Sequence, residues 1–254
     1  MLQIERLERI HDYLCIHKHA GINELASKLG MSASTVRRGL KELEEKNVVQ
    51  ILRGSAILLG NGNTYEQPYS SKRRRHGEEK KRIAAYAVSC LTSNNSIYLD
   101  ASSTVRELCP HLKTMQDITI CTNDILIAGD LSAAQGLIVL VTGGVLRQGF
   151  YSLSGYYGES VIENLQVDYA FMGIDAINTE HGFMLTNHEE VGFKRKAAKN
   201  ATKCIVLCDH EKFEQGALLK VWSSSEVDMV ITGQELSNEL YQKYTDCGFV
   251  IHRV

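Results

Sequence analysis

The segment from Ile22 to Leu43, INELASKLGMSASTVRRGLKEL, constrains the fold more than any other part of this chain. Apolar residues recur in it at three- and four-residue spacing as far as Leu29, which predicts a short helix. The pattern stops at Gly30, a residue that tolerates the left-handed conformation of a helix end. A second helix is predicted to begin at Ser32, whose hydroxyl can cap it. Two short helices joined by so tight a turn predict a helix-turn-helix.

The second helix of this motif has a buried stripe and a basic, hydroxyl-rich face. Val36, Leu40 and Leu43 share one side of it. The candidate DNA-binding residues lie at its start and on its other side: Ser32, Ser34, Thr35, Arg37, Arg38 and Lys41. In a major groove such a helix offers hydroxyls and an arginine to base edges, while the remaining cations pair with phosphates. An ordinary helical hairpin with a solvated basic face is the alternative.

The residues on either side extend the motif to a winged helix. Ile4, Leu7, Ile10 and Leu14 recur at helical spacing, so a preceding helix is predicted to pack on the pair. After Lys46 the sequence VVQILRGSAILLG contains two β-rich runs, and the turn residues between them predict a hairpin. Arg53, in that turn, is a candidate for contact with a phosphate or a minor groove. It is equally expected to be an exposed turn residue with no role in DNA binding.

Charge is distributed unevenly along the 254 residues, although the net charge is only −2. Residues 1–82 carry 16 basic and 10 acidic side chains, whereas residues 83–254 carry 12 and 20. The front of the chain is therefore expected to attract a polyanion that the rest repels. A basic cluster, Lys72 to Arg75, is expected either to follow a DNA backbone or to be solvated linker charge.

Seven scattered cysteines, with no Cys-x-x-Cys pair, are typical of a reduced, cytoplasmic protein. Cys204, Cys208 and His210 are conceivable metal ligands, but the apolar run KCIVLC favours a buried strand. We expect neither a metal nor a cofactor. The chain begins with an amphipathic helix and has no apolar stretch of about 18 residues, so it is expected to be neither secreted nor membrane-spanning.

Helices and strands are predicted to alternate from Ile83 onwards. Apolar runs bounded by Gly and Asp, each followed by a helical pattern, favour a Rossmann-like parallel α/β sheet. The predicted domains are a winged helix-turn-helix over residues 1–60, a linker over 61–77 and an α/β domain over 78–254.

Polar residues follow nearly every predicted strand of the second domain. Ligands of such sheets bind beyond the carboxyl ends of the strands. Hydroxyls, cations and helix starts suit a phosphate, whereas carboxylates and Asn suit sugar hydroxyls, so the predicted ligand is a phosphorylated sugar. The candidate effector-binding residues are Asp100, Ser102, Ser103, Thr104, Thr122, Asn123, Gly143, Gly144, Asp175, Glu190, Lys194, Asp209 and Lys212.

The chain resembles the DeoR-type bacterial repressors of sugar metabolism over nearly its whole length. The resemblance lies in ELASKLGMSASTVRRGLKEL and, in the family's order, in YLDASSTV, TND, TGGVLR, DYAFMGID, GFMLTNHEEVGFKRKA and CDHEKF. It implies a winged-helix DNA-binding domain, a sensor domain related in fold to ribose-5-phosphate isomerase, a sugar-phosphate effector and homo-oligomers on operator DNA. Gly39 stands where the family usually has Asp, and Ser102 where it usually has Gly. A glycine inside a helix costs about 1 kcal/mol.

These observations lead to one function and two alternatives. We expect a non-enzymatic transcriptional repressor of a carbohydrate operon, in which a sugar phosphate changes the affinity for operator DNA. The main alternative is a sugar-phosphate isomerase with an appended helical domain, using Asp175 or Glu190 as base and Lys194 or Lys212 as electrophilic partner. A transcriptional activator is the third possibility.

Overall fold

The computed structural model describes residues 3–46, 48–59 and 66–254, and for residues 3, 4 and 16 it describes the backbone alone. The chain forms two compact units, Met1–Lys72 and Arg73–Val254, and each has a hydrophobic core of its own. The expected domain boundaries at residues 60 and 77 stay predictions, because residues 60–65 lie outside the described part of the chain.

The first unit consists of helices packed on a small antiparallel sheet. Its elements are α1 (Gln3–His17), β1 (His19–Gly21), α2 (Ile22–Leu29), α3 (Ala33–Glu45), β2 (Val49–Leu52) and β3 (Ser55–Leu58). The three helices and the β2–β3 hairpin confirm the predicted winged helix. Strand β1, which pairs with β3, was not predicted, because three residues are too few to show an alternating pattern.

The core of the first unit is formed by the stripes that the sequence predicts. Leu7, Ile10 and Leu14 of α1 are buried, as are the apolar residues of α3 such as Leu40. The stripe on α1 is thereby confirmed for these three positions. The side chain of Ile4 lies outside the described residues.

Part of the predicted linker is helical. Helix α4 (Tyr69–Arg74) follows the undescribed segment. Its Ser70 hydroxyl donates to the carboxylate of Glu8, and the Ser71 hydroxyl donates to that of Asp12, both on α1. The predicted linker thus contains a helix, which composition did not reveal because it shows few apolar groups there but not these hydrogen bonds, and the bounds of the linker stay a prediction.

The second unit is built around a parallel sheet. Its helices and strands are α5 (Gly77–Ser89), β4 (Ser96–Leu99), α6 (Cys109–Leu112), β5 (Ile118–Thr122), α7 (Ile125–Leu131), β6 (Leu137–Val141), β7 (Val145–Leu146), β8 (Leu153–Ser154), α8 (Tyr156–Glu163), β9 (Val167–Met172), β10 (Ala176–Asn178), β11 (Gly182–Leu185), α9 (Val191–Lys199), β12 (Ala201–Leu207), β13 (Leu219–Trp222), β14 (Met229–Thr232), α10 (Asn238–Asp246) and β15 (Ile251–Arg253).

Seven of these strands lie side by side in the order β15-β14-β12-β9-β4-β5-β6, and every neighbouring pair is parallel. This confirms the predicted parallel α/β sheet. Two antiparallel additions, β10-β11-β13 and the β7–β8 hairpin, were not predicted.

Successive side chains of the central strands point into two separate core layers. On β12, Cys204 and Val206 pack in one layer, whereas Ile205 and Leu207 pack in the other. Residues of α8, α9 and α10 belong to the first layer, and residues of α5, α6 and α7 belong to the second. Because the seven strands are all parallel, the loops at their carboxyl ends lie at the same end of the sheet.

Candidate functional site

The turn between α2 and α3 is built as the sequence predicts. Gly30 ends α2 in the left-handed region at φ 62°, and Ser32 caps α3 by accepting a hydrogen bond of 3.1 Å from the backbone N–H of Thr35. The Ser32 hydroxyl also lies 2.8 Å from the Ser34 hydroxyl and 2.8 Å from that of Thr35. Three hydroxyls are thus grouped at the start of α3, and the one on Ser32 serves the helix itself.

The other face of α3 presents its cations to solvent. Arg37, Arg38 and Lys41 are exposed, whereas Val36 and Leu40 on the opposite side are completely buried. Among the described residues, none of the three cations forms an ion pair. Their charge is therefore not neutralised by the first unit, as contact with phosphates or bases requires.

The wing presents a fourth cation. Arg53 is exposed in the turn between β2 and β3, where Gly54 adopts a φ of 78°. The Gly54 carbonyl accepts a 2.8 Å hydrogen bond from the backbone N–H of Ile22, the first residue of α2. This bond fixes the tip of the wing to the start of the helix-turn-helix.

Gly39 has a packing role that sequence reasoning missed. It is buried on the side of α3 that faces α1, and a Cβ built on it would lie 2.6 Å from Cδ1 of Ile10. The absence of a side chain therefore lets the two helices approach closely. Gly39 lowers the helix propensity of α3, but it allows α1 and α3 to pack closely.

The basic cluster after the wing is partly neutralised. Lys72 Nζ lies 3.8 Å from a carboxylate oxygen of Glu66, and the guanidinium of Arg75 donates to the carboxylate of Glu211. Lys72 and Arg75 are therefore neither simply solvated nor unpaired, because each forms an ion pair within the protein.

In the second unit, the loop of residues 100–104 follows β4 and is held by a buried ion pair. Asp100 accepts hydrogen bonds from the ammonium of Lys194 and from the backbone N–H of Gly173, the latter at 2.8 Å. Lys194 also donates to the Gly173 carbonyl at 3.0 Å. Burial raises the pKa of the Asp100 carboxyl, against the opposing effect of the Lys194 ammonium. The two predicted residues are brought together, although 94 positions separate them in sequence.

Ser102, which replaces the family's usual glycine, is accommodated by a glycine elsewhere. A Cβ built on Gly173 would lie 2.4 Å from Cβ of Ser102. Ser102 itself accepts a hydrogen bond of 3.2 Å from the backbone N–H of Thr104. The loop is followed by a 3₁₀ turn, Val105–Leu108, which continues directly into α6, so a helix start lies behind the loop as the sequence predicts.

A second buried lysine lies on the other side of this loop, and sequence reasoning missed it. Lys80 Nζ donates to the Ser103 hydroxyl at 3.3 Å and lies 3.9 Å from Oδ2 of Asp209, which follows β12. Burial lowers the pKa of Lys80 to about 8, and the nearby Lys212 acts in the same direction. In sequence Lys80 stands in the charged run GEEKKR, where nothing distinguishes it from the exposed Lys81.

Thr122 and Asn123, predicted to touch the effector, make hydrogen bonds that position the loop. The Thr122 hydroxyl donates to the Leu99 carbonyl at 2.7 Å. Asn123 Oδ1 accepts from the Tyr98 hydroxyl at 2.9 Å and from the Ala101 N–H at 3.1 Å. Both side chains are buried, so a supporting role accounts for them without a ligand.

Asp124 caps α7 and was not predicted as a site residue. Its Oδ1 accepts hydrogen bonds from the backbone N–H groups of Leu126 and Ile127, at 2.6 and 3.1 Å, while Oδ2 is buried with no hydrogen-bond partner among the described residues. Burial raises the pKa of Asp124 to about 6, although the two N–H groups oppose the shift.

Two glycines after β6 meet the hairpin and helix that follow. Gly143 and Gly144 have positive φ values of 71° and 123°. A Cβ on Gly144 would lie 2.4 Å from the Ser154 carbonyl oxygen, and the Gly143 carbonyl lies 2.7 Å from a Cβ built on Gly158 of α8. Close packing on Ser154 therefore explains Gly144, whereas a Cβ on Gly143 would meet nothing within 4 Å and its left-handed backbone alone favours glycine.

The remaining predicted carboxylates have separate partners. Glu190 accepts from the guanidinium of Arg147 and from the Ser152 hydroxyl. Asp175 accepts a 3.0 Å hydrogen bond from the Thr186 N–H.

Two overlapping groups of metal-ligating side chains occur among the described residues: His76, Glu79 and His210, and His76, Asp209 and Glu211. Ligand atoms of His76, Glu79 and His210 lie within 4.8 Å of one another. Glu79 already accepts hydrogen bonds from the His210 ring, at 2.9 Å, and from the backbone N–H groups of His210 and Gly233. Glu211 of the second group likewise pairs with Arg75 and His76. Because these contacts satisfy the carboxylates of Glu79 and Glu211, a structural role accounts for both groups.

The alternative of a Cys204, Cys208 and His210 metal site is not supported by these geometries. Both thiols lie in one apolar layer of the core, and burial raises the pKa of Cys204 to about 12. A metal requires the thiolate form. The predicted buried strand is confirmed as β12.

The first unit is a winged helix whose α3 exposes cations, and the second is an α/β unit with a charged loop at its strand ends. Together these features define a ligand-responsive DNA-binding regulator. Family comparison agrees. A model described as the DeoR-like helix-turn-helix domain matches residues 6–60, and one described as the DeoR C terminal sensor domain matches residues 75–234. The chain belongs to the DeoR family of transcription regulators. The isomerase alternative is not favoured.

Several curated relatives extend over the same length. The HTH-type transcriptional repressor GlcR of Bacillus subtilis is 35% identical and matches 95% of this chain and 92% of its own. The HTH-type transcriptional regulator GolR of Listeria innocua is 30% identical, with 99% and 98% matched. The glycerol-3-phosphate regulon repressor of Escherichia coli is 25% identical, with 97% of each matched. A solved ribose 5-phosphate isomerase from Methanocaldococcus jannaschii shares 15% identity over 54% of each chain, at a TM-score of 0.40, which is too low to bear on function.

Among the described helices, none is both long and apolar enough to cross a bilayer.

Proposed function

We propose that this protein represses a carbohydrate-utilisation operon in the cytoplasm and that a phosphorylated sugar, bound at the loop of residues 100–104, controls its affinity for operator DNA. The active species in this proposal is a homo-oligomer. Repression and a phosphorylated metabolite are supported by the names of two relatives, a transcriptional repressor and a glycerol-3-phosphate regulon repressor.

The observation that carries the proposal is the pair of buried lysines on either side of this loop. Lys194 is paired with Asp100, and the Lys80 ammonium lies 3.3 Å from the Ser103 hydroxyl. Buried cations attract an anion more strongly than exposed ones, because water screens them less. A phosphate beside Ser103 would form charge-assisted hydrogen bonds with Lys80, with Lys212 as a second cation.

Control of DNA binding requires that the effector bind two states of the protein with different affinity. A coupling free energy of roughly 1 to 3 kcal/mol, or about 5- to 150-fold in DNA affinity, would be ordinary for such a regulator. Arg37, Arg38, Lys41 and Arg53, together with Ser34 and Thr35, form the proposed DNA-contacting surface.

The test combines DNA binding with ligand stabilisation. Full-length protein is titrated onto labelled promoter DNA, with and without members of a panel of sugar phosphates and the matching free sugars. We expect one phosphorylated sugar to raise the melting temperature and to change the DNA dissociation constant, whereas its free sugar does neither. The double variant Ser103→Ala with Thr104→Ala should lose both responses, and the exposed control Ser132→Ala should keep them. If every free sugar acted as strongly as its phosphate, the proposal would be overturned.

A further inference from the structure

Exposed apolar side chains of the second unit are concentrated at one edge of the main sheet. Nine of the thirteen large hydrophobic side chains that are exposed among the described residues lie between residues 138 and 161. The edge patch comprises Ile138, Leu140, Val141, Val145, Leu146, Tyr151, Tyr156, Tyr157 and Val161. Exposed apolar residues scattered singly need no explanation, but a contiguous group marks an interaction surface.

Two observations place exposed residues of β6 beside α8, which carries three other residues of the edge patch. Leu140 on β6 lies beside Cys121 on β5 in the sheet register, and Cys121 packs in the same core layer as residues of α8. Leu140 and Ile138, two residues apart on one strand, therefore face the side of the sheet that α8 covers. The carbonyl of Gly143, just after β6, is also in close contact with α8 at Gly158.

The same edge is open for strand pairing. Strand β6 is the last of the seven, and in the described part of the chain it pairs with β5 alone. Proteins usually protect such an edge with charged residues, proline or a bulge. Residues 137–146, LIVLVTGGVL, contain neither a charge nor a proline. An undefended apolar edge in a folded protein indicates that another chain covers it.

We propose that the edge patch is the interface of a homodimer, in which β6 pairs antiparallel with β6 of a second copy. A two-fold interface places the same surface on both partners, so its charges must tolerate their own copies. An uncharged apolar strand meets this condition. Each chain also carries one recognition helix, whereas a palindromic operator offers two half-sites. The need for two recognition helices rests on the proposed function, whereas the apolar, uncharged edge of β6 does not.

Opposite charges at one position provide a direct test of the pairing. We expect sedimentation of the full chain to show a dimer at micromolar concentration. Ile138→Lys and Ile138→Glu, at a side chain that is 64% exposed, should each weaken the dimer at least about 100-fold, because a two-fold pairing brings both copies of residue 138 to the same face of the paired strands, where like charges repel. An equimolar mixture of the two variants should restore a dimer.

Two further variants separate the interface from folding defects. Tyr157→Glu lies on α8, outside the strand, at a side chain that is 74% exposed, and should also weaken the dimer. Val250→Glu changes an exposed apolar residue of the same unit outside the edge patch, and should leave the dimer intact. All variants should keep the wild-type far-UV circular dichroism spectrum, which shows that they fold.

Three results would overturn the proposal: a monomeric wild-type protein, dimers of unchanged strength in both Ile138 variants, or a mixture that stays monomeric. Loss of the dimer in the edge variants, combined with no operator binding by the dimeric wild type, would retain the interface and remove the proposed function.

Discussion

The ammonium of Lys80 lies 3.3 Å from the hydroxyl of Ser103 and so connects α5 to the loop after β4. Lys80 is almost completely buried, and burial lowers its pKa to about 8. An anion bound at this loop would stabilise the charged form and raise the pKa again. The electrostatics of the candidate effector site therefore depend on a residue outside the strand ends.

Replacement of Lys80 by Met is expected to remove the response to a sugar phosphate. The variant loses the charge but keeps most of the buried volume, so the ligand dissociation constant should rise at least about tenfold. Thermal-shift titration measures it. Lys81→Met, at the exposed neighbouring lysine, is the matched control, and an unchanged ligand response in Lys80→Met would exclude Lys80 from the site.

Effector affinity is also expected to depend on pH. Because the pKa of Lys80 is lowered to about 8, its ammonium loses its proton as the pH rises from 7 to 9, and binding of a phosphate should weaken over that range. Isothermal titration at several pH values checks the trend. The Lys80→Met variant should lack this dependence, and an identical slope in both proteins would contradict the assignment.

Arg37→Ala and Arg38→Ala are expected to weaken operator binding by about tenfold or more each. Neither side chain has an ion pair in the described structure, so the melting temperature should stay within a degree or two. The dependence of log K on log salt should become shallower by about one for each phosphate contact removed. Lys203→Ala, an exposed lysine of the second unit, should change neither quantity; gel shifts unchanged in both arginine variants would remove α3 from the DNA.

Gly39→Ala is expected to destabilise the first unit by about 1 kcal/mol. The better helix propensity of alanine is outweighed by overpacking against Ile10, because the new Cβ would lie 2.6 Å from its Cδ1. Adding Ile10→Val removes that methyl group and should recover stability relative to Gly39→Ala. Urea denaturation measures all four proteins of the cycle, and purely additive free energies would show that the two positions do not conflict.

Asp124→Asn is expected to change how stability varies with pH. The pKa of Asp124 is raised from 3.8 to about 6 in the folded protein, so the folded state binds more protons than the unfolded state between these values. Stability therefore falls as the pH rises from about 4 to 6, by up to roughly 3 kcal/mol. Asparagine retains the capping oxygen without the charge. As the pH rises from 4 to 7.5, the melting temperature of the wild type should fall relative to that of Asp124→Asn. Parallel curves would contradict the raised pKa.

The local pattern of the sequence determined the winged helix and the parallel sheet. The apolar stripes of α1, α2 and α3, the capping Ser32 and the terminal Gly30 depend on residues within a few positions of one another, so short-range periodicity is enough to predict them. The sequence predicted that Asp100 and Lys194 lie near the same end of the sheet, because strands and helices alternate. It did not predict that the two side chains form an ion pair.

Only the tertiary structure decided which polar residues support the loop and which lie free to meet a ligand. Lys80 and Lys81 are equivalent in sequence, yet one is buried beside Ser103 and the other is exposed, because the packing of α5 on the sheet selects one face of the helix. The same holds for Gly39, whose close neighbour Ile10 is 29 positions away, and for the edge patch, since a strand becomes an edge only once its neighbours are fixed. Long-range contacts of this kind leave no periodic trace in the sequence.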